Sequence, residues 1–272
     1  MKVDFDIKGS VAVITGGAGV LCAEMAKGLS ACGARIALLD LMEERARQIA
    51  QEIVDDGGEA IAVGCDVLDR QSIEAAAGEV LARYGTVDIL INGAGGNKAD
   101  ATTRDTLSFF DLPEQAVKWV FDLNLMGTIL PTQVFGRVFA RKKQGCVINI
   151  SSMAAFTPLT RTLAYSAAKA GVSNFTQWMA THFNQEYSPH IRVNAIAPGF
   201  LLTRQNEYLL VDRETGEPTE RGKKIIAATP MGRYGDPEEL VGAIVFLCSP
   251  AASFVNGAVL PVDGGYAAYS GV

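Results

Sequence analysis

The stretch VAVITGGAGVLCAEMAKGL, residues 11–29, decides the fold. Its first five residues are apolar and rich in β-branched side chains, which predicts a buried strand. Gly16, Gly17 and Gly19 follow directly, and a helical pattern of apolar residues begins near Val20. Such a turn brings free backbone N–H groups and the positive end of a helix dipole to one place, as pyrophosphate sites require. Taken alone the signal is weak, because any tight strand-to-helix turn uses glycine.

Six further apolar runs of strand length alternate with amphipathic stretches of helix length. Most of these runs are continuously apolar, which is typical of strands buried on both faces of a parallel sheet. The pattern predicts an α/β protein in which residues 1–272 form a single-domain, doubly wound Rossmann fold. We expect a seven-stranded parallel sheet flanked by helices on both faces. The six runs are 35–39, 60–64, 87–92, 146–151, 191–197 and 258–263.

Two long polar segments, residues 95–115 and 199–230, interrupt this alternation, and each follows a predicted strand. Ligands of open parallel sheets bind at the carboxyl ends of the strands. Loops of this length in a compact domain are usually lids or binding elements. We therefore expect both segments to form the substrate side of a site.

Composition excludes several functions. The net charge of the 272 residues is −6, which argues against nucleic acid as a partner. No apolar run approaches ~20 residues, so we expect no membrane partner, and the acidic start does not resemble a signal peptide. His182 and His190 are the only histidines, which leaves a metal site poorly supplied. The five cysteines show no paired spacing, so we expect free, mostly buried thiols and a cytoplasmic protein.

Polar residues at three further strand ends suit a dinucleotide. Asp40 ends the second predicted strand, where a carboxylate can accept hydrogen bonds from ribose hydroxyls. It would also repel a 2′-phosphate, and Leu41 follows it rather than a basic residue, so NAD is favoured over NADP. Asp66 and Val67 follow the third strand, where they could contact adenine. The fourth strand ends in small residues against which a cofactor could lie, namely Asn92, Gly93, Ala94 and Gly95.

A second set of residues suggests proton chemistry. Ser152 follows the fifth strand, and Tyr165 and Lys169 lie at positions i and i+4 of the next predicted helix. Their side chains then share one helix face. An adjacent ammonium favours phenolate, so we expect Lys169 to lower the pKa of Tyr165 toward neutral pH. An isolated pair at this spacing would more often be an amphipathic surface; beside a nucleotide turn we favour catalysis.

Together these motifs resemble the short-chain dehydrogenase/reductase family along essentially the full chain. The matching residues are Thr15-Gly16 with Cys22, Asn92-Gly93-Ala94-Gly95, Asn124, Ser152, Tyr165 with Lys169, Pro198-Gly199 and Thr203. Val20 and Cys22 depart from the pattern, since the family usually has glycine there, and Gly93 replaces its usual asparagine.

The resemblance implies a catalytic tetrad of Asn124, Ser152, Tyr165 and Lys169. Tyr165 would exchange the proton, Lys169 would hold the nicotinamide ribose and lower the Tyr165 pKa, Ser152 would polarise the carbonyl, and Asn124 would help to hold a relay water. No metal is implied, and members commonly form homotetramers or homodimers. The implied NAD-binding residues are Gly16, Gly17, Gly19, Val20, Leu21, Asp40, Leu41, Asp66, Val67, Asn92, Gly93, Ala94, Gly95, Tyr165, Lys169, Pro198, Gly199 and Thr203.

The substrate is less well marked. Basic and amide side chains in the long segments, with Arg161 between Ser152 and Tyr165, suit an anionic, polyhydroxylated small molecule. Arginine binds carboxylate through paired hydrogen bonds. The candidates are Lys98, Arg104, Arg161, Arg204, Gln205 and Asn206, of which Lys98 and Arg204 are favoured as carboxylate partners.

Within the family, the segments and the tail resemble the subgroup that interconverts D-fructuronate and D-mannonate. Two alternatives stay open: a dehydrogenase of gluconate-type or neutral polyol and ketose substrates, and a nucleotide-binding regulator without catalysis.

Overall fold

A computed structural model of the protein describes residues 3–204, 206–213 and 215–271. Its core is one sheet of seven parallel strands in the order β3-β2-β1-β4-β5-β6-β7. The predicted Rossmann sheet is confirmed, with strand ends within about two residues of those expected. The strands are β1 Val11–Thr15, β2 Arg35–Asp40, β3 Glu59–Gly64, β4 Ile89–Asn92, β5 Gly145–Ile150, β6 Ile191–Pro198 and β7 Val259–Val262.

Helices cover both faces of this sheet. The helices are α1 Val20–Ala31, α2 Glu43–Asp55, α3 Arg70–Tyr84, α4 Glu114–Phe121, α5 Gly127–Lys142, α6 Leu163–Glu186, α7 Glu207–Leu210, α8 Glu220–Ala228 and α9 Glu239–Cys248. A π-helical turn, Asp122–Met126, joins α4 to α5. In the described part of the chain, none of these helices combines the length and apolar character needed to cross a membrane.

Alternating side chains of the strands feed two separate cores. In β1, Ala12 and Ile14 pack in one core with α1, α2 and α9. Val11 and Val13 point the other way and pack with α3, α5 and α6. Because both faces of each central strand are buried, the strands are apolar throughout, as the sequence pattern predicts.

The strand order reverses between β1 and β4, so a crevice opens at the carboxyl ends of these strands. The two long polar segments lie at this edge, and each contains regular secondary structure. Residues 95–115 contain a short antiparallel bridge between Arg104 and Leu107. Residues 199–230 contain α7 and α8, and Thr219 caps α8 by accepting a hydrogen bond from the Gly222 N–H at 3.0 Å.

Candidate active site

Four polar side chains meet beyond the carboxyl ends of β4 and β5. Ser152 lies just after β5, whereas Tyr165 and Lys169 lie in the first two turns of α6. Asn124 lies in the π-helical turn between α4 and α5. Asn124, Ser152 and Lys169 are all buried. The structure therefore brings together the four residues that the sequence predicts as a tetrad.

The ammonium of Lys169 is the centre of this group. Its Nζ donates a hydrogen bond to the Ile150 carbonyl at 2.8 Å and lies 5.7 Å from the centre of the Tyr165 ring. A Cβ added to Gly95 would lie 3.1 Å from this Nζ and 2.8 Å from Oδ1 of Asn124. The backbone at Gly95 thus passes between Asn124 and Lys169, and only glycine allows this approach.

The two serines after β5 have different partners. The Ser151 hydroxyl contacts the Lys169 carbonyl at 3.1 Å and the Ser173 hydroxyl at 2.7 Å, so it fastens α6 to the sheet. The Ser152 hydroxyl accepts a hydrogen bond from the Ala154 N–H at 3.1 Å, and it is close enough to the Tyr165 phenol to lower the pKa of that group. Only the second serine therefore faces the phenol.

The pKa values differ from the sequence-based expectation. Burial raises the pKa of Tyr165 above 10.0, and the hydrogen bond to Ser152 opposes this only in part. Burial also lowers the pKa of Lys169 from 10.5 to about 8. The expected lowering of the Tyr165 pKa by Lys169 is wrong for the protein alone, because both groups have lost their hydration and the ammonium points to a backbone carbonyl.

Asn124 fixes the start of the 95–115 segment. Its Oδ1 accepts a hydrogen bond from the Gly96 N–H at 3.1 Å, and its Nδ2 donates to the Gly96 carbonyl at 2.7 Å and to the Val120 carbonyl at 2.8 Å. The π-helical turn aims the amide at this loop, a common use of such turns at functional sites. Asn124 is thus a positioning residue for the loop as well as a neighbour of Lys169.

The glycine turn after β1 is open to an anion. Helix α1 begins at Val20, its cap residue Gly19 offers no side-chain hydrogen bond, and its first turn contains no acidic residue. The first N–H groups of a helix have no partner within the helix, and the helix dipole favours negative charge there. Val20 and Leu21 lie in this first turn, so the residues present fit a pyrophosphate.

Asp40 lies at the end of β2 beside this turn. Its Oδ2 accepts a hydrogen bond from the Ala18 N–H at 2.9 Å, and its Oδ1 accepts one from the Met42 N–H at 2.8 Å. Each carboxylate oxygen can accept a further bond. The carboxylate is thus oriented for a ribose diol, while the Leu41 side chain beside it is exposed.

Two predicted adenine contacts lie after β3. Asp66 accepts a hydrogen bond from the Leu68 N–H at 2.9 Å through Oδ1. Val67 is buried against Gly127 at the start of α5. Both residues lie at the carboxyl edge of the sheet, on the Asp40 side.

The predicted nicotinamide contacts lie after β6. Pro198 ends this strand, and the Gly199 N–H donates to the Val262 carbonyl of β7 at 2.9 Å. The Thr203 N–H donates to Oδ1 of Asn206 at 2.8 Å. This contact orders the chain that leads into α7.

The predicted substrate residues diverge. Lys98 holds its Nζ 5.4 Å from the centre of the Trp119 ring. Arg161, at a φ of 71°, pairs with Asp105 at 3.1 Å on the surface. Arg204 is exposed beside Thr203.

Two further candidates hydrogen-bond to the backbone. Arg104 donates to the Ala99 carbonyl at 2.9 Å, and Nδ2 of Asn206 donates to the Leu201 carbonyl at 2.9 Å. Gln205 lies outside the described residues.

Sequence reasoning missed a buried hydrogen-bond network across the sheet. Nδ2 of Asn92 donates to the Thr132 hydroxyl at 2.9 Å and to Oδ1 of Asn149 at 2.8 Å. Nδ2 of Asn149 donates in turn to the Thr176 hydroxyl at 2.9 Å. The network therefore links α5 to α6 through β4 and β5. Its signal in the sequence is an asparagine within each of two otherwise apolar strands.

A second unforeseen contact explains two departures from the family pattern. A Cβ on residue 93 would lie only 2.2 Å from Sγ of Cys22 and 2.8 Å from the Thr15 carbonyl oxygen. The thiol is buried, and burial raises its pKa to about 12. Cys22 thus occupies the space that a side chain at residue 93 would need, which makes Gly93 and Cys22 a matched pair.

The comparisons with known proteins agree with this geometry. The pattern of the family described as enoyl-(acyl carrier protein) reductase matches residues 17–267. The chain belongs to the short-chain dehydrogenase/reductase family, whose members are oxidoreductases that act on alcohol and keto groups.

Three similar proteins are oxidoreductases by name. A Haemophilus influenzae protein named an uncharacterized oxidoreductase is 50% identical, with 100% of this chain and 98% of that protein covered. The D-threitol dehydrogenase of Mycolicibacterium smegmatis is 36% identical, with 98% and 96% covered. A Haemophilus influenzae crystal structure with bound NAD, named provisionally as a D-mannonate oxidoreductase, has a TM-score of 0.92 and 49% identity, with 98% of each chain covered.

The matched pair predicts a non-additive effect on stability. We expect Gly93→Ala to lower the free energy of unfolding by about 1–3 kcal/mol, the usual cost of overpacking. In a Cys22→Ala background the 2.2 Å contact with Sγ is removed, and the approach to the Thr15 carbonyl oxygen at 2.8 Å remains. The cost should then fall by about 1 kcal/mol or more, measured by urea denaturation of the single and double variants.

Gly78→Ala is the matched control. Its added Cβ meets nothing within 4 Å, so its effect should add to that of Cys22→Ala. Equal costs of Gly93→Ala with and without the thiol would contradict the pairing.

Proposed function

We propose that the protein is an NAD(H)-dependent oxidoreductase that interconverts a keto group and a secondary alcohol on a sugar acid, with D-fructuronate and D-mannonate as the first pair to test. The observation that carries this proposal is the contact of Ser152, Tyr165 and Lys169 beside Gly95, at the strand-order reversal. A half-buried phenol and a buried ammonium are expensive to maintain side by side, which favours a chemical role over a structural one.

The residues around the glycine turn after β1 support NAD over NADP. The carboxylate of Asp40 is held in place by two backbone N–H groups beside the open start of α1. A fixed negative charge there accepts hydrogen bonds from ribose hydroxyls and repels a 2′-phosphate. The related Haemophilus influenzae structure with bound NAD supports the same choice.

Proton transfer is assigned to Tyr165. Its raised pKa keeps the phenol protonated at neutral pH, so it can give its proton to the oxygen of a reacting carbonyl. Ser152 donates a second hydrogen bond to that oxygen, and Lys169 holds the phenol side of α6 against β5. When bound, the nicotinamide supplies or accepts the hydride.

The anionic part of the substrate is assigned to Arg204. Lys98 lies against Trp119 and Arg161 pairs with Asp105, so both cations already have partners. Arg204 lies next to Thr203, in the segment that leaves the carboxyl end of β6. Its guanidinium can bind a carboxylate through two parallel hydrogen bonds.

A neutral polyol is the second candidate substrate. The similarity to a D-threitol dehydrogenase favours it. A regulator without catalysis is disfavoured, because the four tetrad side chains have the contacts described above.

We further propose that the enzyme is cytoplasmic and forms a homotetramer or homodimer. The family resemblance supports this assembly, and so do the exposed apolar side chains of Trp119, Met126 and Trp178 along α4–α6.

The Tyr165 hydroxyl is testable directly. With NADH and D-fructuronate, Tyr165→Phe should lower kcat by ~10²-fold or more, because the proton donor is lost. Absorbance of the reduced nicotinamide measures the rate. Tyr187→Phe removes a phenol at the exposed end of the same helix and should leave kcat unchanged. Full turnover by Tyr165→Phe would instead support the non-catalytic alternative.

A variant of Arg204 tests whether the substrate is anionic. Arg204→Gln should lower kcat/KM for the sugar acid by ~10–100-fold, the loss expected for a charge-assisted hydrogen bond. With D-threitol, kcat/KM should change by less than ~3-fold. Arg221→Gln, which removes an exposed arginine from α8, serves as the control. Equal losses on both substrates, or better turnover of the neutral polyol by the unmodified enzyme, would refute the sugar-acid assignment.

A further inference from the structure

Two buried cysteines lie together at the edge of the sheet opposite the tetrad. Cys146 is near the start of β5, and Cys248 is the last residue of α9. Both thiols are free, belong to the same apolar core and are only 5% and 8% exposed. Sγ of Cys146 lies 3.5 Å from the carbonyl oxygen of Leu247, the residue before Cys248. The Cys146 thiol thus lies against the backbone that carries Cys248.

An arginine completes this cluster. Arg192 is the direct neighbour of Cys146 in the pairing of β5 with β6. Its Nη2 lies 3.7 Å from Sγ of Cys146 and donates to the carbonyls of Leu247 at 2.8 Å and Ser249 at 3.4 Å. The guanidinium therefore touches one thiol and both carbonyls that flank the other.

The two thiols differ in acidity. The hydrogen bond from Cys248 lowers the pKa of Cys146, and Arg192 lowers it further, while burial opposes both effects. The same pairing and burial raise the pKa of Cys248. The guanidinium of Arg192 contacts Cys146 directly, which makes Cys146 the better candidate for the attacking thiol and Cys248 for the resolving thiol.

The other cysteines lack this arrangement. Burial raises the pKa of Cys22 to about 12 and of Cys65 to about 11, as expected for inert structural thiols. Cys32 is exposed. In an oxidation experiment, Cys32 therefore serves as the accessible control thiol, and Cys22 and Cys65 serve as buried control thiols.

We propose that Cys146 and Cys248 form an oxidisable dithiol that reacts with a small hydroperoxide and closes to an intramolecular disulfide. The Cys146 thiol first gives up its proton. Its thiolate attacks the peroxide, so an S–O bond forms and the O–O bond breaks, and the leaving alkoxide, or hydroxide from hydrogen peroxide, takes up that proton and departs as alcohol or water. The Cys248 sulfur then attacks the sulfenic acid, so the S–S bond forms, the S–O bond breaks and water leaves. Two thiols lose two electrons, which the peroxide gains.

The crosslink would join β5 to α9 and leave the catalytic edge unchanged. It closes a loop of about 100 residues, which in the chain-entropy model is among the more stabilising kinds of disulfide. Oxidation should therefore raise the Tm by about 5–10 °C, and a thiol reductant should reverse the rise.

The test uses the folded protein and hydrogen peroxide. Peptide mass spectrometry without reduction should show the Cys146 and Cys248 peptides joined, with the loss of two hydrogens, and the Tm should rise. Sulfinic or sulfonic acid at either residue without the crosslink would overturn the proposal. Modification of Cys32 alone, with Cys146 and Cys248 still reduced, would overturn it as well.

Variants separate the roles of the three side chains. Cys248→Ser should leave a sulfenic acid at Cys146 that a 1,3-diketone probe traps. Arg192→Met should slow crosslinking by ~10-fold or more, whereas Cys32→Ser and the exposed-arginine variant Arg137→Met should not change it. An unchanged rate in Arg192→Met would contradict the role of the guanidinium, and the wild-type crosslink decides the proposal whether or not that variant folds.

Discussion

The site depends on one buried hydrogen bond, from the Lys169 ammonium to the Ile150 carbonyl. It ties the start of α6 to the end of β5, and it holds the charge next to Tyr165. The desolvation of this amine is costly, and a pKa of about 8 is its result. The same ammonium lies beside Gly95, so the backbone after β4 must carry no side chain there. The lysine thus constrains two strand ends and one helix at once.

A second constraint comes from amides and hydroxyls inside the sheet. Asn92 and Asn149 pair across β4 and β5 and extend to Thr132 and Thr176 on the flanking helices. All four residues are buried. Because buried polar groups are costly when unpaired, such a network fixes one relative position of its elements. It thereby holds α5, which follows the Asn124 turn, at a set distance from α6.

The sequence predicts the strands and the pairing of Tyr165 with Lys169, because apolar runs and i, i+4 spacing are local signals. The place of Asn124 in the tetrad follows only from the family resemblance. Sequence patterns do not predict properties that depend on how deeply a side chain is buried. Spacing placed Lys169 beside Tyr165, but it could not tell that burial raises the pKa of the phenol more than Ser152 lowers it, so the predicted direction of the Tyr165 pKa was wrong. Contacts between segments far apart in the chain could not be predicted from the sequence either. Lys98 lies against Trp119, and the thiol of Cys22 fills the space beside Gly93. The catalytic roles themselves stay predictions.

A titration of the Lys169 amine shows whether this ammonium is desolvated and held by the Ile150 carbonyl. NMR of the protein with isotope-labelled lysine side chains, with the Lys169 signal assigned by its loss in Lys169→Gln, gives the midpoint for this amine. The account predicts a midpoint near pH 8, well below the ordinary value of 10.5. A Lys169 signal that titrates at 10.5 or above would show a solvated or carboxylate-paired ammonium and would contradict the account.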